Sequence, residues 1–296
     1  MDRLERIEEE LAALRKSASD LRRELDEIRD SVAVNARQVE AMLWQRGFPV
    51  LAHGNRTQLA VPPNLTAGRM TVFYNLMRRY SFRLFMRDLI QCPEGSGPAA
   101  LTRYCSLKTV RSYLKALAGI GTVGLDPGGG YRLLRPVPSF GPTLEMHVCE
   151  IFRREFMTPA LFNVRLQNTR HGGDYDVLAA LSGRLAYVEV KSSPPRGVEH
   201  QAVSAFLDRF RELQPHVAVF FVDTELRMKD KIAPLFEEGL AREGLDRPVL
   251  RLVNEIFHIR HSIYLINSRK GIYTNLRVCF RDFFLWERKD PEKELF

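Results

Sequence analysis

The sequence predicts a mixed α/β domain, a sheet flanked by helices, over residues 139–296. An all-α coiled coil over residues 1–46 and a small basic domain over residues 47–138 precede it. Three observations carry this reading. Apolar residues recur in heptads at the start of the chain, an amphipathic basic helix and a glycine-tipped hairpin fill the middle, and strand-like and helix-like segments alternate thereafter.

The first 34 residues place Leu4, Ile7, Leu11, Leu14, Ala18, Leu21, Leu25, Ile28 and Val32 at spacings alternating between three and four. With Leu4 as position a, a parallel pair of helices sets Arg3 against Glu8, Glu10 against Arg15 and Glu24 against Arg29 at the g and e positions. A homodimer through this segment is expected; the alternative is one amphipathic helix folded back on its own chain. The pattern fades at Asn35, and Gly47-Phe48-Pro49 ends the helix.

Charge singles out the middle of the chain. The net +8 is uneven: residues 1–50 carry 9 basic against 11 acidic side chains, residues 51–142 carry 12 against 3, and residues 143–296 carry 23 against 22. A basic excess confined to one segment is the electrostatic footprint of nucleic-acid binding. Within it, residues 68–91 read as helical, CPEGSG (92–97) interrupts, and a short helix fits 99–104. Ser106 is then an N-cap for a helix whose Leu107, Val110, Leu114 and Leu117 form a buried stripe, while Lys108, Arg111 and Lys115 form a basic one. Asp126-Pro127-Gly128-Gly129-Gly130 makes a turn, and the return strand carries Arg132. Helix, short helix, basic helix and hairpin in this order resemble a winged helix-turn-helix domain. The resemblance implies that Lys108, Arg111, Lys115 and Arg132 bind nucleic acid; winged helices also serve as protein-binding modules.

The third segment opens on a hairpin that carries charge where a buried strand should not. In GGDYDVLAALSGRLAYVEVKSS (172–193), Ser182-Gly183 is a two-residue turn, so Leu181 faces Arg184, Asp176 falls opposite Glu189, and Asp174 falls opposite Lys191. Alternation then sends all four charged side chains to one face. Two carboxylates roughly 5 Å apart repel unless a cation joins them. Lys191 supplies one charge; a divalent ion bound by hard oxygens, Mg²⁺ or Mn²⁺ rather than zinc, would supply the rest. The same E-x-K spacing recurs at Glu287-Arg288-Lys289, in a charge-rich tail with no strand behind it.

D-V-L-A-A-L, a short turn, then Y-V-E-V-K-S resembles the P-D…(D/E)-x-K nuclease superfamily, whose fold is restriction-endonuclease-like. The order of elements agrees over residues 140–225: a helical stretch (143–157) before the hairpin, then VEHQAVSAFLDRFRELQ and HVAVFFVD after it. The resemblance implies that Asp176, Glu189 and the backbone carbonyl of Val190 bind the metal and that Lys191 orients the attacking water. Glu145, in the pattern L-E-x-x-V, completes the site, with Glu150 as the alternative; Gln201 stands where some branches carry a helical glutamine. Tyr175 replaces the family's proline, and Asp174 competes with Asp176 for one role.

Composition excludes other classes. The longest apolar runs, such as VAVFFV (217–222), are far too short to cross a bilayer, so a cytoplasmic protein without membrane association is expected. Cys92, Cys105, Cys149 and Cys279 lack zinc or disulfide spacing, and no small-molecule cofactor is indicated. The expected function is a dimeric, metal-dependent DNA endonuclease. The alternatives are a DNA-binding regulatory or architectural protein on an inactive nuclease fold, and a ribonuclease.

Overall fold

The computed structural model describes residues 14–22, 37–245 and 247–289. The heptad positions Leu4, Ile7, Leu11, Leu25, Ile28 and Val32, and with them the charge pairs of the expected dimer, lie outside the described residues. Residues 14–22 are helical and leave Leu14 and Leu21 exposed to solvent.

In chain order the first elements are α1 (37–45), β1 (Val50–Ala52), α2 (Ala67–Met77), α3 (Tyr80–Gln91), β2 (Glu94–Gly95), α4 (Leu107–Gly119), β3 (Val123–Leu125) and β4 (Tyr131–Leu133). Then come α5 (Gly141–Glu155), β5 (Ala160–Leu166), β6 (Tyr175–Leu181), β7 (Arg184–Lys191), α6 (His200–Leu213) and β8 (Val217–Val222). The chain closes with α7 (Ile232–Arg242), β9 (Leu250–Val253), β10 (Ile256–Ile259), β11 (Ile263–Ile266) and α8 (Ile272–Lys289). The fold is mixed α/β, with a large sheet in the order β1-β5-β6-β7-β8-β11-β10-β9 and a small one in the order β2-β4-β3.

The basic module departs from expectation in two places. Residues 68–91 form two helices rather than one, because the chain is extended at Arg79 (φ −88°, ψ 122°). The Arg83 guanidinium donates to the Met77 carbonyl at 2.8 Å and so satisfies the end of α2. The short helix expected at 99–104 is a single 3-10 turn, Pro98–Leu101. In α4, Ser106 Oγ accepts from the Thr109 N–H at 3.3 Å, the expected cap. Val110, Leu114 and Leu117 are buried together with Tyr113, whereas Leu107, in the first turn, stays exposed.

In the main sheet β5, β6 and β7 form an antiparallel meander, β7, β8 and β11 run parallel, and β10 and β9 return antiparallel. Leu181 faces Arg184, and Ser182 and Gly183 both take positive φ (48° and 77°), the geometry of a type I′ turn. Helices α5 and α8 cover one face, and α6 and α7 the other. Covered on both sides, the central strands are continuous apolar runs.

The N-terminal elements join this sheet. Helix α1 buries Val39 and Leu43 against the α6–α7 face, and Arg46 Nη1 donates to the Leu213 and Gln214 carbonyls at 3.2 and 2.7 Å. β1 pairs with β5 as an edge strand. The sequence assigns residues 37–46 to the coiled coil and β1 to the basic domain, yet both pack on the main sheet. The α2–α4 module shares its core with it as well: Phe73, Met77, Phe82 and Phe85 lie in one cluster with Leu144, Phe152 and Val177.

A buried ion network ties the two. Asp223, just past β8 and fully buried, accepts from Arg83 Nε at 2.9 Å and from Arg87 Nη2 and the Ser268 hydroxyl, both at 2.5 Å; Arg83 Nη2 forms an ion pair with it at 2.9 Å and donates to Ser268 Oγ at 3.0 Å. Burial alone would push the Asp223 carboxyl up; the Arg83 and Arg87 guanidiniums hold it below its ordinary value. A depressed carboxyl pKa contributes stability that is present above the ordinary value and lost as pH falls through the folded one. Asp223→Asn is expected to cost about 3–5 kcal/mol at neutral pH, because it leaves Arg83 without its buried counter-charge. Urea unfolding at pH 7 checks this, and the gap between variant and wild type should narrow in acid.

Candidate functional site

The charged ends of β6 and β7 meet the first half of α5 at the C-terminal edge of the parallel strands. Lys191 pairs with Val222 of β8, and the Asp223 N–H donates to the Lys191 carbonyl at 2.8 Å. The ladder between β6 and β7 is paired as far as Val177 and Val188, so the next step sets Asp176 against Glu189. Asp176 Oδ2 accepts from the Val190 N–H at 2.6 Å.

Alternation breaks at this point. Tyr175 packs on the α6 face, its ring 5.3 Å from that of Tyr187, while Val177, two residues later, packs on the α5 face. Asn163 of β5, across from Asp176 in the continued register, is left-handed at φ 49° and locally distorts the meander. The break redirects Asp174. Expected to pair with Lys191, it instead accepts from Arg165 Nε at 3.0 Å and Asn163 Nδ2 at 3.3 Å.

Glu189 is almost fully buried, at 2% exposure, and is heavily engaged. Lys191 Nζ donates to Oε1 at 2.7 Å, Arg209 Nη1 donates to Oε2 at 3.2 Å and to Oε1 at 3.3 Å, and the Tyr187 hydroxyl donates to Oε2. Glu145, also buried, belongs to the same set: Glu189 and Asp174 both act on its carboxyl, and its Oε2 has no partner. Burial first, then Glu189 and Asp174, push Glu145 up to about 7, with Lys191 opposing. Burial, Glu189 and Glu145 raise Asp176 well above the ordinary carboxylate range. Glu189 gathers the donors, while burial and the neighbouring carboxyls raise the proton affinity of Glu145 and Asp176.

The other expected residues stand apart. Glu150 binds Arg153 and Arg154 on its own helix at 3.2 and 2.7 Å. Gln201 is exposed in the first turn of α6, about 12 Å along the helix axis from Arg209. Glu287, of the second E-x-K, pairs with Arg184 at 2.7 Å. Lys108, Arg111 and Lys115 on α4 and Arg132 on β4 are exposed, and no described carboxylate lies within ion-pair distance of them. Tyr187 and Arg209 were missed. Tyr187 was legible, since it shares Glu189's face two residues away; Arg209 had no signal, because its contact spans helix to strand.

Arg209 also rests on the chain before Asp174. A Cβ on Gly173 (φ 99°) would meet its Nη2 at 2.7 Å. The adjoining loop is fastened to α6 as well: the Arg170 and His171 N–H groups donate to Glu212.

Among the described residues no three His, Cys, Asp or Glu side chains converge as a formed metal site. The donor set nevertheless fits a hard divalent ion: Glu145, Asp176 and Glu189 offer oxygen alone, Glu189 raises the proton affinity of both Glu145 and Asp176, and Glu145 Oε2 is unsatisfied. The described residues contain no helix long and apolar enough to cross a membrane.

No family model and no curated protein matches the chain. A solved structure, the crystal structure of protein VC1899 from Vibrio cholerae, is similar at a TM-score of 0.41 and 13% identity over 75% of this chain. The match spans 57% of that protein's length, and similarity at this level carries no functional argument.

A carboxyl raised in the folded state contributes stability below its ordinary pKa that is lost as pH rises through the folded value. Between the ordinary carboxylate range and pH 7–8, Glu145 should therefore lower the melting temperature progressively. Glu145→Gln should remove that component and stabilise the protein at pH 8 by on the order of 2–3 kcal/mol. Melting curves of both proteins from pH 5 to 8 check this.

Proposed function

We propose that the chain is a divalent-metal-dependent nuclease with a restriction-endonuclease-like core, acting on DNA. The observation that carries the reading is the meeting of Glu145, Asp176, Glu189 and Lys191 at one strand end, with two carboxyls forced above their ordinary range. Asp176, Glu189 and Glu145, with the Val190 carbonyl, would hold Mg²⁺ or Mn²⁺, which polarises a phosphodiester and lowers the pKa of water when bound. Lys191 places Nζ at the partly exposed mouth of the site, where it can orient the attacking water. Burial and the neighbouring carboxyls raise the proton affinity of Glu145 and Asp176, so protons compete with the ion for these ligands.

In this reading α2, α3, α4 and the β3–β4 hairpin form a winged helix that presents Lys108, Arg111, Lys115 and Arg132 to phosphates, and residues 1–34 pair two copies. One observation favours a second reading, a DNA-binding regulatory protein on an inactive nuclease fold: both Glu189 oxygens are already engaged by Tyr187, Lys191 and Arg209. That reading predicts no effect of metal.

The test is cleavage of single- and double-stranded DNA and RNA with and without Mg²⁺ or Mn²⁺, beside a calorimetric Mn²⁺ titration. Asp176→Asn and Glu189→Gln should abolish both metal binding and cleavage, whereas Lys191→Ala should bind metal and fail to cleave. Cleavage of RNA alone would reassign the substrate, and absence of any metal signal in the wild type would end the nuclease reading. Replacing Lys108, Arg111, Lys115 or Arg132 singly should lower the salt dependence of DNA binding by about one unit of slope each. Unchanged affinity in the quadruple variant would move α4 to a protein-binding role, and light scattering with and without residues 1–34 tests the pairing.

A further inference from the structure

We infer that Arg209 is a built-in counter-cation of Glu189, which competes with the divalent ion for that carboxylate and reserves net positive charge for the substrate. The inference rests on the nuclease reading and concerns how its site is regulated.

Three facts lead to it. Arg209 Nη1 lies 3.2–3.3 Å from both Glu189 oxygens, so one guanidinium nitrogen bridges the carboxylate. Its side chain is largely buried and cannot leave for bulk water without exposing Glu189, which has 2% of its own surface accessible. Its Nη2 lies against the backbone at Gly173, where an added Cβ would meet it at 2.7 Å and displace it.

Charge then decides the role. The set holds three carboxylates, Glu145, Asp176 and Glu189, against two cations, Lys191 and Arg209; Asp174 is neutralised separately by Arg165. With all three carboxyls ionised the set has one net negative charge. A divalent ion turns this into one net positive charge, which the single negative charge of a phosphodiester closes. Without Arg209 the metal-loaded set would be neutral and would not attract the phosphodiester. A guanidinium here therefore weakens metal binding and strengthens substrate binding, and the two effects have opposite sign in a variant that lacks it.

A merely structural arginine predicts something else: its removal loosens Glu189 and weakens both. The full-length protein and its Arg209→Met, Arg209→Lys and Gly173→Ala variants are titrated with Mn²⁺ by calorimetry, and cleavage is resolved into kcat and KM. Arg209→Met should bind Mn²⁺ about tenfold more tightly or better, and should raise KM for DNA by a similar factor with a smaller change in kcat. Arg209→Lys, which keeps the charge, should stay near wild type. Gly173→Ala, which displaces the guanidinium tip from a distance, should shift Mn²⁺ affinity in the same direction as Arg209→Met and add nothing to it in the double variant. Mn²⁺ binding that is unchanged or weaker in a cooperatively melting Arg209→Met protein overturns the inference.

A wild type that binds no Mn²⁺ instead defeats the nuclease reading. In that case urea unfolding of Arg209→Met, Glu189→Gln and their double variant still judges the pairing: non-additive costs keep Arg209 as the counter-cation of Glu189, and additive costs remove it.

Discussion

Asp223 is the interaction on which the arrangement of the molecule depends. A fully buried carboxylate is tolerated only with its charge matched, and here both partners, Arg83 and Arg87, arrive from helix α3 of the basic module. The same residue donates its backbone N–H to the carbonyl of Lys191. One side chain therefore fixes the basic helices against the sheet at the strand end where the carboxylates meet. An ion pair of this kind is not the cheapest way to hold two surfaces together, since apolar residues of similar volume often do as well or better. What it adds is register: a guanidinium fork has few acceptable positions around a carboxylate, whereas an apolar contact can slide.

The candidate site obeys the same rule with the opposite balance. At Asp223 cations exceed the carboxylate; at the ends of β6 and β7 carboxylates exceed the cations. Glu189 gathers Lys191, Arg209 and Tyr187, leaving Asp176 one backbone N–H and Glu145 an unsatisfied oxygen. Burial, then this deficit of cations, raises the proton affinity of Glu145 and Asp176. A protein selected only for stability would replace one of these carboxylates. Persistence of the excess at a strand end beside an exposed basic module is the physical reason to read the cluster as a site.

The charge count along the sequence was informative and partly misleading. Of the 12 basic residues in 51–142, Arg83 and Arg87 are spent on Asp223, a residue of the last segment. The surface of the module is thus less basic than its composition. Lys108, Arg111 and Lys115 reach solvent as expected, because their helix buries its other face through Val110, Tyr113, Leu114 and Leu117, and Arg132 is exposed on β4.

By itself the sequence determined the elements whose signals are local. Ser182-Gly183 set the hairpin register, the spacing of Val110, Leu114 and Leu117 set the buried face of α4, and the E-x-K on a strand with two apolar faces marked Glu189 and Lys191. Turn geometry and side-chain periodicity act over a few residues, so they can be read along the chain. Only the tertiary structure decided that α1 and β1 join the main sheet, that Arg83 belongs to Asp223, that Asp174 turns to Arg165, and that Arg209 reaches Glu189. Those contacts join residues 9 to 168 positions apart, or depend on a break in alternation at Asp176. Nothing local encodes them, because a buried charge accepts a partner from any element that packing brings within reach.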